Sequence, residues 1–302
     1  MADATYGQNL PDCKPVRDTD RTVLAFPDPN TAQRPAPVGP DSAETAPPTL
    51  SDELKLAITR ALDGSFGRRF PADPLLGASI SHLVSASSSI VKRHGWLIES
   101  AIISALQAHH GFVIGQGIAF PITRVADREA LAALADGGTA REVPLDADVV
   151  RSADIDIMAV NTETKTAYAL AVRRGGGATE APKRQLMERN AIAVGALLRA
   201  YCAQQGYEVN EARVAILDYY GRGFPAHMRI TREELDAFFG VPVVATIEAM
   251  TRMLLAGYAG RIPVLLDRAV PPERVDLRAM PVAPTPMPLD TGSLRRKRRP
   301  NT

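Results

Sequence analysis

Three acidic and four basic side chains near the middle of the chain have the types and spacing to do chemistry. Glu99 sits among isoleucines and leucines in HGWLIESAIISALQAHHG, and Asp154 and Asp156 alternate with isoleucine in ADIDIMAV. Arg173 and Arg174 close the run AYALAVRR, and Lys183 and Arg184 follow a glycine-rich loop. Side chains alternate along a half-buried strand, so Asp154 and Asp156 point the same way. Buried carboxylates are costly and need a cation, an arginine or hydrogen bonds. Two of them near a glutamate from the apolar edge of a helix make an oxygen-ligand set suited to Mg²⁺. Such an ion positions a phosphodiester and activates water. The cations Arg173, Arg174, Lys183 and Arg184 are of the kind that binds backbone phosphates. Each residue also has a plain role open to it. Asp154 can lie at an exposed strand start, Glu99 can pair with an arginine, and the four cations can be simply solvated.

The elements that must position these side chains are legible in outline. Ser51 reads as the N-cap of a helix carrying Leu54, Ala57, Ile58 and Leu62 at helical spacing, ended by Gly64. A long helical region follows from about Leu75 to His110, with a break expected near Gly95 and Gly111 as its cap. FVIGQGIAFPI reads as a strand with a glycine irregularity, and DREALAALADGG as a short inserted helix. ADIDIMAV and AYALAVRR form a hairpin across NTETKT. KRQLMERNAIAVGALLRAYCAQQG is a helix, ARVAILDYYG a strand, and TREELDAFFG and VVATIEAMTRMLLAGYAG are helices, the first capped by Thr231. The middle order of helix, three strands, helix, strand predicts a mixed α/β domain around a central sheet.

Composition bounds the rest. With 302 residues and 45% hydrophobic content, a real core is expected. The net charge is +1, from 35 basic against 34 acidic residues, so no global field draws the protein to nucleic acid or membrane. Cys13 and Cys202 are far apart, which suits unpaired thiols in a reducing compartment. The apolar stretches fall short of a membrane span, and the N-terminus lacks a secretory pattern, so a cytoplasmic protein is expected. Ala/Arg-rich, Lys-poor usage suggests a high-GC bacterium. Proline density predicts disorder over residues 1–48 and 269–302, flanking a domain of residues 49–268. Within the first segment, TVLAF (Thr22 to Phe26) is suited to docking onto the domain.

The central motifs resemble those of the PD-(D/E)XK nuclease superfamily, the restriction-endonuclease-like fold. The resemblance covers somewhat under half the chain and rests on element order and short motifs. It implies an αβββαβ core across residues 84–221, here with extra helices, and a helix glutamate after a glycine, supplied by Gly95 and Glu99. It also implies a metal-binding aspartate on the second strand, supplied by Asp156, and an E-x-K end on the third. There this chain reads Ala171-Val172-Arg173. Ala171 ligates nothing, and the fixed positive charge of Arg173 makes it a poor proton acceptor. The resemblance therefore implies a DNA-associated protein, with Mg²⁺ held by Glu99 and Asp156 and cleavage weakened or absent. Alternatively, a catalytic group has moved to the next helix, where Lys183 and Glu188 lie. A rival from another class is a non-enzymatic interaction or secreted effector protein that keeps the fold and engages partners through its tails.

Other features carry less. His109 and His110 suit a helix end, Tyr219 and Tyr220 suit sheet-edge packing, and Asp218 is expected to pair with an arginine. The tail LRRKRRP is a basic cluster open to loose nucleic-acid contact, targeting or plain solvation.

Overall fold

The computed structural model describes residues 48–137, 140–175, 179–221 and 223–269. The Thr22–Phe26 run, residues 1–47 and 270–302 of the two expected disordered tails, and most of the glycine triplet lie outside the described residues.

Helix α1 (Asp52–Phe66) starts as expected, with the Ser51 hydroxyl accepting the Leu54 amide at 3.2 Å and Asp52 and Glu53 in the first turn. It does not stop at Gly64. It runs on to Phe66, and the Gly67 amide then bonds back to the Asp63 carbonyl. Helix α2 (Gly77–Gln107) passes through Gly95 unbroken. A Cβ at Gly95 would make ordinary van der Waals contact with the Cβ of Arg174 at 3.5 Å, so close packing does not demand a glycine there. Leu97, Ile98, Ala101, Ile102, Ala105 and Leu106 are buried, the apolar arc expected from their spacing.

Strand β1 (Phe112–Thr123), helix α3 (Arg124–Asp136), strands β2 (Val149–Asn161) and β3 (Thr166–Arg173), helix α4 (Ala181–Gln204) and strand β4 (Glu211–Asp218) follow. A two-residue strand β5 (Arg229–Ile230), a 3₁₀ turn (Arg232–Glu234) and helix α5 (Leu235–Phe239) lead into α6 (Val244–Ala269). Thr231 and Glu234 form a capping box at the 3₁₀ turn. Helix α6 runs past its expected end and carries Pro263 inside it.

The chain is thus mixed α/β, with a five-stranded mixed sheet in the order β1-β2-β3-β4-β5. The first three strands pair antiparallel, and β3-β4 and β4-β5 pair parallel. Two apolar clusters lie on opposite faces. One joins α1, α2 and α6 to Ile157, Leu170 and Leu217; the other joins α3 and α4 to Phe120, Met158 and Ala169. Burial of that apolar area is the dominant favourable term. Among the described residues, no helix is long and apolar enough to cross a membrane.

Candidate functional site

The expected site residues gather where the sheet forks. Strand β2 pairs with β1 along its whole length, but with β3 only from Ile157↔Leu170 to Asn161↔Thr166. Beyond Ile157 the strands part, while β3 continues beside β4 to Arg173↔Asp218. Asp156 is the first residue past the parting. Its Oδ2 accepts the Val172 amide at 2.7 Å, so a carboxylate stands where a backbone carbonyl would otherwise continue the ladder. On the neighbouring strand β1, Gly117, at φ +62, lies between the pairs Gln116↔Ile157 and Ile118↔Ile155, level with Asp156. This is the expected glycine irregularity of β1. Packing changes faces at the same level: Ala153 and Ile155 join the α3/α4 cluster, whereas Ile157 and Ala159 join the other.

Helix α4 covers the fork and closes a cleft of about 540 Å³. Asp154 and Asp156 line it from β2, Ala171 and Arg173 from β3, and Lys183 and Asn190 from α4. Asp156 and Arg173 are half-buried, and Asp154 and Lys183 are exposed. Neither Arg173 nor Lys183 has an ion-pair partner among the described residues. At the end of the cleft Arg151 bonds to Asp127 of α3 and Asn190 of α4, and Arg189 holds the same aspartate. Burial alone would raise the Asp127 pKa, but the Arg189 and Arg151 hydrogen bonds outweigh it and hold the carboxyl below its usual range. This clamp ties α3, β2 and α4 together on one wall.

The other expected residues sit elsewhere. Glu99 is buried on α2 and does not line the cleft. Arg174 turns the opposite way from Arg173. Its Nε donates to His94 Nδ1 at 3.1 Å, and its guanidinium lies 5.3 Å from the Tyr220 ring centroid. Because Nδ1 accepts, Nε2 carries the proton and donates to Thr251 Oγ1 at 3.0 Å. Burial, and then the Arg174 charge, push the His94 pKa down to about 4, which keeps the ring neutral. Arg174 is therefore engaged in joining β3 to α2 and α6. Arg184 lies 3.7 Å from Glu188 one turn along α4, and neither lines the cleft.

Spacing in sequence did not reveal the Arg174–His94–Thr251 chain or the Asp127 clamp, because their partners come from distant elements. Asp218 also differs from expectation. Its carboxylate accepts the Gly223 amide at 2.8 Å and packs against Gly175 and Gly221. Cys202 is buried, and that burial pushes its thiol up to about 12.

The donor set does not make a self-sufficient magnesium cage. Ala171 contributes no ligand, and no group of three His, Cys, Asp or Glu side chains able to hold a metal occurs among the described residues. Arg173 and Lys183 can take phosphate oxygens, and the acidic wall sets how an anion must approach. No family model, curated protein or solved structure matches the chain.

Proposed function

We propose that the protein is nucleic-acid-associated, with a PD-(D/E)XK nuclease-like core that holds a DNA backbone in the forked cleft and cleaves it poorly or not at all. The observation that carries this reading is the meeting of Asp156, Arg173 and Lys183 in one cleft opened by the parting of β2 and β3. Parted strands give a ligand access to side chains that an unbroken sheet would bury.

Lys183 restores a mobile ammonium to the cleft, in place of the lysine that the motif has as Arg173. The carboxylate missing at Ala171 has no such replacement from Glu188, which sits beside Arg184. Binding therefore outlasts hydrolysis in this reading. The expected Mg²⁺ belongs to the same proposal through Asp156, with water and phosphate oxygens completing its shell; Glu99, which does not line the cleft, is not part of that ligand set.

The test is binding of a fluorescent DNA duplex at low salt, followed by cleavage assays in Mg²⁺ and Mn²⁺. Arg173→Ala with Lys183→Ala should weaken binding by roughly tenfold or more, as loss of two phosphate contacts implies. Cleavage should be absent or barely above background. An absence of DNA affinity at low salt would overturn the assignment. Efficient cleavage that survives Asp156→Ala would remove the metal-site part of it.

A further inference from the structure

A second concavity, about 660 Å³, lies away from the fork, between α1, α2 and the start of α6. Its apolar wall includes Leu54, Ala57, Trp96, Ile103 and Pro242, and Trp96 is 40% exposed there. An indole left that open on an apolar wall is an incomplete contact. Ser100 and Gln116 add hydrogen-bonding groups.

The chain itself enters the domain along this groove. Pro48 and Thr49, the first described residues, form part of its rim, and Leu50 is already buried. Forty-seven residues precede them. In that stretch Val23-Leu24-Ala25-Phe26 is the one run of more than two consecutive apolar residues. The 21 residues between Phe26 and Pro48 span up to about 70 Å when extended. That reaches any part of a groove whose rim is Pro48. Arg21 precedes the run, and among the described residues Glu53 is the only carboxylate on the groove wall.

We propose that this groove is the docking site for the chain's own Thr22–Phe26 segment, with Leu24 and Phe26 against Trp96 and Arg21 toward Glu53. Tethering makes the contact intramolecular, at an effective concentration in the mM range for a short linker, so a weak five-residue contact suffices to fill it.

The protein has a single tryptophan, Trp96, which makes the groove directly observable in the full-length chain. In Leu24→Asp with Phe26→Asp, Trp96 emission should move to the red. Its acrylamide quenching constant should rise about twofold as the indole loses its apolar cover. Arg21→Glu should move both in the same direction by less. A peptide of residues 18–30 added to the double variant should restore the wild-type emission. Equal emission and quenching in wild type and double variant would overturn the proposal. So would an emission that follows protein concentration and ignores the substitutions, which would make a second copy the occupant.

Discussion

Asp156 has a structural task whatever its chemistry. Its carboxylate satisfies the Val172 amide at the point where the β2–β3 ladder ends. Asp156→Ala leaves that donor without its acceptor, which should cost about 1–3 kcal/mol. Asp156→Asn keeps an oxygen in place and should cost clearly less. Urea midpoints of the two variants measure the difference, and a loss of DNA binding without this stability loss would separate the two roles. His94 makes a second prediction at this scale. Its folded pKa, about 4, lies below the ordinary 6.5, so the unfolded chain takes up a proton first as pH falls. His94 is neutral in both states above pH 6.5 and contributes no pH dependence there. Between about 6.5 and 4 it should draw stability down, and below about 4 its effect should level off. His94→Gln keeps an acceptor for Arg174 and a donor for Thr251 while removing the titration. The stability gap between wild type and variant should therefore shift in favour of the variant as pH falls, as read by Tm from pH 7 to 4.

At the scale of elements, the fork depends on how β3 and β4 end. Arg173 pairs in register with Asp218, and the chain then bends at Gly175, with φ +75. A Cβ there would strike the Asp218 carboxylate and the Gly221 backbone. Gly137 has a similar φ, +65, but only open space around it. Gly137→Ala should therefore cost only the left-handed strain of about 1 kcal/mol, whereas Gly175→Ala should cost more and also disturb the cleft. Thermal unfolding of the two variants side by side tests this. If they lose equal stability, the Asp218 corner is not what holds β3 and β4 in place.

For the whole molecule, near-neutral charge means that any DNA affinity must come from local cations. Each phosphate neutralised contributes about 0.9 to the slope of log affinity against log salt. Substituting Arg173 and Lys183 should thus flatten that slope by roughly 2. Neutralising the basic run Arg295–Arg299 should flatten it further and independently, if the tail contacts DNA as well. A slope that the cleft substitutions leave unchanged would place the DNA outside the cleft.

Local order was legible because local physics decides it. Ser51 announced a helix start through its hydroxyl, the spacing of Leu97 to Leu106 announced a buried helix face, and Asp156 between isoleucines announced a carboxylate inside a strand. Helix ends were less legible: α1 runs past Gly64 and α2 through Gly95, because a glycine weakens a helix by only about 1 kcal/mol and does not by itself stop one. The sequence by itself determined the main elements and their order, though not the short β5, and the absence of a carboxylate at position 171. Tertiary structure alone decided which charged groups share a space. Arg173 and Arg174 read as one cluster, yet the pleat sends one to the cleft and the other to His94. Lys183 and Glu188 both lie on α4, but helical rotation puts only the lysine in the cleft. The cleft itself follows from where β2 and β3 stop pairing, a register between strands that no single strand encodes.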